Sequence, residues 1–241
     1  MSDPSTWYCV RQRAGPFVKA FSTDNYRLVK RLRARSPSHP ALSGTPLDRL
    51  ELRLALFGYD GIFYTLTFSD ETLPRDLDGV MRVWNAFLMR VKRWRKGVPL
   101  DFYVYRIEGL HGDSRYHIHA FLRDKDLPPA VVQYLWTWGF VDDEPFDEKR
   151  VLAEKGYRCL ARYFTKERPE VGRHAWGDAR KLKSLLPPPA VHASKTGRIS
   201  IPRDAVLLPV RDDLKKTGWG YYQYARYLLP QKRRFIFNQE D

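Results

Sequence analysis

Two histidines and a glutamate are spaced so that they could bind one metal ion. His117 and His119 are separated by a single residue, so in a β-strand both side chains point to the same face. Glu108 ends the preceding candidate strand, and in a hairpin it lies opposite or diagonal to His117, with Cβ atoms about 5 Å apart. Two imidazoles and a carboxylate suit a divalent metal with open positions. Zinc hydrolysis and metal-assisted phosphoryl chemistry are both open to such a site.

The His-x-His pattern alone is also typical of partly exposed histidines on a sheet without any ligand. The carboxylate of Glu108, on the same predicted face, is what favours a metal site over that simpler interpretation.

A second pair of reactive side chains is Tyr163 and Lys166, on a predicted helix. Residues three apart lie side by side, so the lysine can approach the phenol or a phosphate that the phenol attacks. In the alternative interpretation Tyr163 is a core aromatic, because it falls on the apolar stripe of that helix. Tyr157 is six positions earlier, about 240° around the helix, which favours a single tyrosine nucleophile.

The strands that would position these residues follow from alternation and β-branched or aromatic content. We predict strands at Ile62–Phe68, Phe102–Glu108, His117–Arg123 and Gly139–Phe146. On the two central strands the apolar residues share one face, and Arg106 lies on the polar face with Glu108. Arg106 is therefore a candidate phosphate contact.

Three helices accompany these strands. Apolar residues at three- and four-residue steps predict a helix at Leu77–Trp94 and a second long helix at Glu148–Lys166. A short helix from Pro128 through Trp136 has Asp126 as its candidate cap. The order strand, helix, strand, strand, helix, strand, helix predicts an α+β fold with helices packed on one face of a sheet.

The charge of the chain favours a polyanionic partner. The chain has 241 residues and a formal net charge of +14, which favours association with nucleic acid. Arg93, Lys96 and Arg162 are candidate DNA contacts, although cations at a helix C-terminus are also favourable on a solvated face. Exposed aromatic side chains could stack on single-stranded bases.

The sequence has no segment that predicts membrane insertion or secretion. No apolar run approaches the roughly 20 residues that span a bilayer, and the N-terminus lacks the apolar segment of a signal peptide. Cys9 and Cys159 lie far apart and indicate no disulfide framework. We therefore expect a cytoplasmic protein without a membrane partner.

The two ends of the chain show weaker patterns than the middle. Residues 1–44 look loosely organised and basic, and a short helix is predicted from Pro46 to near Gly58. Residues after Pro169 are polar, basic and proline-rich, and the aromatic run Trp219–Tyr227 could add a strand. We divide the chain into a basic N-terminal extension (1–57), a catalytic domain (58–168) and a basic C-terminal extension (169–241).

Three motifs in this order resemble the HUH superfamily of single-strand DNA endonucleases, most of all the rolling-circle replication initiators of filamentous-type phages and small plasmids. Phe63–Phe68 (FYTLTF) is similar to the first strand motif of that superfamily, and His117–His119 (HIH) to its His-hydrophobic-His signature. Leu160–Lys166 (LARYFTK) is similar to its tyrosine motif. The sequence departs from the two-tyrosine relatives at Cys159, where they place their first tyrosine.

The resemblance implies a fold and a reaction. The fold is a four- or five-stranded antiparallel sheet of RRM-like topology, with a Mg²⁺ or Mn²⁺ site of Glu108, His117 and His119 on its open face. Tyr163 is the implied nucleophile and Lys166 its assisting cation, giving a 5′-phosphotyrosine intermediate and a free 3′-hydroxyl. The implied partners are single-stranded DNA at a replication origin and the polymerase and helicase of a bacterial host, with strand re-joining after replication.

Two alternatives remain open at the level of sequence. A conjugative relaxase or a single-tyrosine transposase of the same superfamily would use similar chemistry. A sheet-based nucleic-acid-binding module without catalysis would instead carry His117 and His119 as surface residues and Tyr163 in its core.

Overall fold

The structure is a computed structural model that describes residues 6–33, 46–109, 114–166, 176–209, 214–217 and 220–231. Its elements in chain order are β1 (Trp7–Ala14), β2 (Phe17–Thr23), α1 (Tyr26–Arg33), α2 (Pro46–Ala55), β3 (Gly61–Leu66), α3 (Leu77–Trp94), β4 (Tyr103–Glu108), β5 (His117–Arg123), α4 (Pro129–Leu135), β6 (Val141–Phe146), α5 (Glu148–Ala153), α6 (Arg158–Thr165), β7 (Trp176–Asp178), a 3₁₀ turn (Leu182–Leu185), β8 (Ala190–Ser194), β9 (Val206–Leu207), β10 (Leu214–Thr217) and β11 (Gly220–Leu228). Within these described ranges, none of the helices combines the length and the apolar character needed to cross a bilayer.

The chain forms two compact units, each with its own sheet. The central unit contains the described residues of 59–150 and 162–182, and the terminal unit contains those of 1–58, 151–161 and 183–241. The last four residues of α6, from Arg162 to Thr165, belong to the central unit.

The central unit is built on a five-stranded antiparallel sheet with the order β6-β3-β5-β4-β7. Helices α3 and α4 cover one face of it, because their apolar stripes pack with the alternate apolar residues of the strands. The members of this core include Tyr64, Leu66, Val80, Trp84, Phe87, Val91, Ile107, Ile118, Ala120, Leu122, Val132 and Leu135. The predicted α+β class with an antiparallel sheet is confirmed. The opposite face of the sheet carries His117 and His119.

Helix α3 has the predicted bounds, and both of its ends follow from local chemistry. The carboxylate of Asp76 accepts a hydrogen bond from the amide of Gly79 at 2.6 Å, which satisfies a free N–H of the first turn. At the other end Lys96 and Gly97 have φ values of 54° and 91°, and Gly97 donates to the carbonyl of Lys92. This Schellman ending stops the helix before β4.

The prediction of one long helix from Glu148 to Lys166 is wrong, because the same ending recurs inside that range. Lys155 and Gly156 have φ values of 55° and 97°, and the amide of Gly156 donates to the carbonyl of Val151 at 2.8 Å. The chain therefore ends α5 at Ala153 and starts α6 at Arg158. Gly156, a poor helix former, was the available signal.

The predicted cap of the short helix α4 is also wrong. The helix starts at Pro129, and its N-cap is Pro128, with no side-chain hydrogen bond. The carboxylate of Asp126 pairs instead with the guanidinium of Arg123, three residues earlier. The predicted strand at 139–146 is observed as β6.

Residues 6–33 of the terminal unit contradict the prediction that residues 1–44 are loosely organised, and the other residues of that range lie outside the described part of the chain. Strands β1 and β2 form a hairpin around Gly15, whose φ is 54° and where an added Cβ would meet the carbonyl oxygen of Ala55 at 2.2 Å. They belong to a six-stranded sheet with the order β10-β11-β2-β1-β8, and β9 pairs with β11. The predicted C-terminal strand is observed as β11. The described parts of both predicted extensions thus build one sheet, which the division into extensions did not anticipate.

Candidate metal centre and nucleophile

Three side chains from two neighbouring strands converge on the open face of the central sheet. The register of β4 and β5 places Glu108 directly opposite His117, as predicted, and His119 lies two residues further on the same face. Oε2 of Glu108 lies 3.4 Å from Nε2 of His117 and 3.6 Å from Nε2 of His119. One potential ligand atom from each of the three residues fits within 4.8 Å of the others.

The other ring nitrogen of each histidine has a partner of its own. Nδ1 of His117 lies 2.9 Å from the backbone carbonyl oxygen of Arg115, which can only accept, so this nitrogen donates. Nδ1 of His119 lies 3.3 Å from Oγ1 of Thr65 on β3. The ring of Phe63 stacks on His119 with centroids 5.2 Å apart. These contacts orient both imidazoles with Nε2 towards the carboxylate, as in histidine metal ligands generally.

The donor set fits a divalent cation. Nε2 of His117 and Nε2 of His119 both face Oε2 of Glu108, so three atoms that can each bind a metal lie together. One cation between them could be bound by all three. Ligand atoms about 2.1 Å from one ion lie about 3.0 to 3.4 Å apart, close to the observed spacing. Two imidazoles and one carboxylate also suit manganese and related metals.

The protonation states of the central residues favour ligation at neutral pH. Burial lowers the pKa of His119 to about 4, against the opposing effect of Glu108, so this imidazole is neutral and able to bind a metal. Burial acts to raise the pKa of Glu108, but the hydrogen bond from the Tyr163 hydroxyl and the electrostatic effect of neighbouring side chains, Arg106 among them, outweigh it. The pKa of Glu108 therefore lies below its ordinary value, and the group is a carboxylate.

Tyr163 reaches the same carboxylate from α6. Its hydroxyl donates a hydrogen bond to Oε1 of Glu108 at 2.9 Å, and its ring contacts His119 edge-on with centroids 5.3 Å apart. The side chain is half-buried, whereas the next residue, Phe164, is buried and packs near Phe63. Phe164 occupies the core position, and Tyr163 lies at the edge of the site with its hydroxyl beside the candidate ligands.

Tyr157, the other tyrosine of this segment, has no role of this kind. It is buried, and its hydroxyl donates to the backbone carbonyl of Gly58 at 2.7 Å within the terminal unit. This contact agrees with the expectation that Tyr157 is not a nucleophile.

Arg106 is not placed to contact DNA. Its side chain is only 1% exposed, although it lies on the predicted face of β4. Nε is 3.0 Å from Oε1 of Glu108, and Nη1 donates to the backbone carbonyl of Tyr163 at 2.5 Å. The assignment of Arg106 as a phosphate contact is therefore wrong, because Glu108 and the end of α6 cover its guanidinium.

The two other cations near the nucleophile are exposed. The backbone amide of Lys166 donates to the carbonyl of Tyr163 at 3.3 Å, and its side chain extends towards solvent after the end of α6. Arg162 is exposed in the last turn of that helix. Their assignments as assisting cation and DNA contact stay predictions.

Arg93 and Lys96 are separated from the candidate metal centre by the sheet. Both are exposed at the end of α3, and this helix packs on the face opposite His117 and His119. The structure therefore does not bring them together with the other predicted site residues, and we no longer assign them to DNA at this site.

Sequence reasoning missed the residues that hold the histidines. Thr65 lies directly opposite His119 in the pairing of β3 with β5, and Phe63 shares the face of Thr65. Alternation in the FYTLTF segment predicted which of its side chains share a face, but it did not predict that β5 is the neighbouring strand. Arg115 contributes through its backbone carbonyl, for which side-chain identity carries no signal.

Comparison with known proteins adds no relative. The chain matches no protein-family model, no curated protein and no solved structure.

Proposed function

We propose that this protein nicks single-stranded DNA with Tyr163 as the nucleophile and a divalent metal as cofactor, and that the nick initiates rolling-circle replication. One observation carries the proposal. The hydroxyl of Tyr163 lies 2.9 Å from a carboxylate whose other oxygen faces two imidazole nitrogens. A phenol beside a metal centre can attack a phosphate that the metal binds.

Glu108, His117 and His119 would hold Mg²⁺ or Mn²⁺ through Oε2 and the two Nε2 atoms. The bound ion would polarise the scissile phosphate and offset the charge that develops on it. The hydrogen bond from Tyr163 to Oε1 of Glu108 holds the phenol proton on the carboxylate side. The attacking electrons come from a lone pair of the same phenol oxygen.

The reaction exchanges one phosphate ester for another. Tyr163 forms a bond to phosphorus and gives up its proton, the bond to the 3′ oxygen breaks, and this oxygen takes up a proton and leaves as a 3′-hydroxyl. The phosphotyrosine ester keeps the energy of the broken bond, so a later 3′-hydroxyl can attack it and re-join the strand without ATP. The host polymerase and helicase would extend and unwind from the nick in the bacterial cytoplasm.

An exposed aromatic on the site face supports binding of single-stranded substrate. Phe140 is 79% exposed and precedes Val141, which packs on the α3 side, so alternation directs Phe140 to the face of the histidines. Its carbonyl accepts a hydrogen bond from the amide of Thr67 at 3.0 Å, which fixes its backbone. Base stacking on such a ring contributes about 1 to 3 kcal/mol.

The test is covalent capture of DNA. A pool of random single-stranded oligonucleotides carrying a 3′ label is incubated with the protein and Mn²⁺ and separated on a denaturing gel. A 5′-phosphotyrosine link predicts labelled protein, which EDTA and Tyr163→Phe both eliminate. Tyr134→Phe is the matched control, because Tyr134 is 76% exposed on α4 and lies across the sheet from the site.

The outcomes separate the competing functions. Labelled protein from Tyr163→Phe would show that the nucleophile is wrong. Binding of the pool without any covalent product, in Mn²⁺ as well as Mg²⁺, would favour the non-catalytic binding module. Relaxase or transposase activity would be distinguished by the sequence of the captured DNA.

A further inference from the structure

The guanidinium of Arg106 is buried between the candidate metal ligand and the candidate nucleophile. We infer that Arg106 is a positioning residue, which fixes the Glu108 carboxylate and the Tyr163 segment relative to each other. In this arrangement Oε1 of Glu108 accepts a hydrogen bond from the phenol, and Oε2 is directed at the metal position. The inference rests on the proposed function and assigns a role to a side chain that touches neither metal nor DNA.

Three contacts of one side chain carry the inference. Nε lies 3.0 Å from Oε1 of Glu108, and Nη1 donates to the backbone carbonyl of Tyr163 at 2.5 Å. The guanidinium carbon lies 5.5 Å from the centroid of the Tyr163 ring, within the range of a cation–π contact. Arg106 therefore contacts the Glu108 carboxylate, the backbone carbonyl of Tyr163 and the Tyr163 ring. The proposed reaction depends on the relative positions of these groups.

The two oxygens of the Glu108 carboxylate have different contacts. Oε1 of Glu108 accepts a hydrogen bond from the Tyr163 hydroxyl and forms an ion pair with Nε of Arg106, whereas Oε2 faces the imidazoles of His117 and His119. A carboxylate rotates readily about its last torsion, which has a broad two-fold profile. The hydrogen bond from Tyr163 and the ion pair with Arg106 on the same oxygen restrict this rotation and keep Oε2 directed at the metal position.

A buried ion pair such as Arg106 with Glu108 is weak evidence of added stability. Removing a charge pair from water is costly, and well-packed apolar residues in its place are often as stable or more stable. Arg106 is 1% exposed, and Glu108 is the carboxylate with which it pairs. A functional requirement for the orientation of Glu108 explains why the charges are retained.

The geometry requires arginine rather than lysine. A guanidinium is a planar fork whose donors point in several fixed directions, whereas an ammonium is a compact point charge. Here Nε forms an ion pair with Glu108 on β4, and Nη1 donates a hydrogen bond to the carbonyl of Tyr163 on α6. Arg106→Lys keeps the positive charge and removes the fork, so it separates positioning from simple electrostatics.

The chain provides a matched control in Arg123 on β5. Its guanidinium pairs with the carboxylate of Asp126 and lies 3.3 Å over the centroid of the Phe102 ring, so it has the same kinds of partner as Arg106. Arg123 is also largely buried, and its partners are not candidate ligands or nucleophiles. Arg123→Lys therefore reports the general cost of replacing a packed arginine in this sheet.

The experiment measures two quantities on the full chain. Calorimetry with Mn²⁺ alone gives the metal affinity, and the time course of adduct formation with the 3′-labelled pool, at saturating Mn²⁺, gives a rate constant and an amplitude. We expect Arg106→Lys to weaken Mn²⁺ binding about 10-fold, typical of a residue that orients a metal ligand. We expect its rate constant to fall about 10- to 100-fold with unchanged amplitude and DNA affinity.

Each outcome decides the matter. Arg106→Lys with the Mn²⁺ affinity and rate constant of the wild type would overturn the inference. So would a lower amplitude and melting temperature at an unchanged rate constant, since this combination indicates a structural role. A fall in Mn²⁺ affinity for Arg106→Lys but not Arg123→Lys supports the inference even if the wild type forms no adduct, and in that case the proposed nicking alone fails. Arg106→Gln, which removes the buried charge, is the second variant should the lysine variant unfold, and it is expected to lower the rate constant as well.

Discussion

Among the described residues, each of the two units contains a cluster of charged side chains, and the two clusters differ in how their carboxylates are paired. In the terminal unit Glu51 is fully buried and pairs with Lys19 at 3.3 Å, with Arg158 at 3.2 Å and with Arg226. Asp48 pairs with Lys19 at 3.2 Å and also with Arg158. Two carboxylates are thus shared among three cations, and this cluster is electrostatically complete.

The cluster of the central unit is incomplete by comparison. Arg106 and the Tyr163 hydroxyl satisfy Oε1 of Glu108, but Oε2 faces the Nε2 atoms of two histidines. His119 is neutral above a pKa of about 4, so it does not supply a countercharge at neutral pH. Oε2 of Glu108 faces two imidazole nitrogens and can be stabilised by an added cation, whereas both oxygens of Glu51 already pair with arginine or lysine. The difference separates a candidate ligand site from a structural ion cluster.

The largest expected effect is the loss of metal binding when the incomplete cluster loses its carboxylate. Glu108→Gln removes the one anionic ligand, so we expect the Mn²⁺ dissociation constant to rise at least about 100-fold, and the adduct to disappear with it. Calorimetry with Mn²⁺ measures this directly. The matched variant Glu51→Gln, in the complete cluster, should leave the Mn²⁺ affinity unchanged, and equal losses in both variants would erase the distinction.

The second effect arises in the terminal unit rather than the central unit, and it concerns stability rather than metal binding. Glu51→Gln leaves three buried or half-buried cations short of a partner, and we expect the free energy of unfolding to fall by about 3 to 5 kcal/mol. Urea unfolding followed by circular dichroism measures the change. Wild-type stability in this variant would show that the ion cluster of the terminal unit is not structural.

The third effect is a dependence of stability on pH that comes from His119. Burial lowers its pKa to about 4, whereas the unfolded chain titrates near about 6.5, so between these values the unfolded state binds the extra proton. Stability from this group is present above about pH 6.5 and is lost as the pH falls towards 4. Between pH 7 and 5 the metal-free protein should lose on the order of 1 to 2 kcal/mol of unfolding free energy through His119.

Urea unfolding at both pH values, for the wild type and for His119→Asn, isolates this contribution. The asparagine variant has no proton to take up at this position and should lose less stability between pH 7 and 5. A wild type and a variant with identical pH profiles would contradict a buried neutral His119.

The smallest effect concerns DNA contacts on the two sides of the central sheet. Arg162 is exposed next to Tyr163, and Arg93 is exposed on the opposite layer. We expect Arg162→Ala to weaken binding of the single-stranded pool a few-fold and to lower its salt dependence by about one charge, as for a single phosphate contact. Fluorescence anisotropy should show no change for Arg93→Ala, and a larger loss there would place the DNA on the helical side.

The predictable part of this molecule is the part whose signals are local. The stripe of α3 and the alternation of β4 and β5 gave the bounds of these elements to within a residue, and the same alternation put Glu108, His117 and His119 on one face. The proximity of Tyr163 was expected from a resemblance rather than from local pattern, because nothing in the spacing of residues 108 and 163 indicates a contact.

The rest depends on long-range pairing or on features that residue types do not reveal. Strand β2 pairs with β11, about two hundred residues later, and short alternating segments do not specify such partners. The helix break depends on Lys155 in a left-handed conformation, for which Gly156 was the one local signal. Alternation gave the face of Arg106, but its burial depends on how α6 covers β4, which the sequence alone did not show.

Mass spectrometry of the covalent adduct tests the central claim most directly. Trypsin cleaves after Arg162 and after Lys166, so the nucleophile would be recovered in the tetrapeptide from Tyr163 to Lys166. The account predicts that this peptide carries a nucleotide through a 5′-phosphodiester on Tyr163, and that the modification requires Mn²⁺ or Mg²⁺. A nucleotide on any other residue, or an adduct that forms equally well in EDTA, would contradict it.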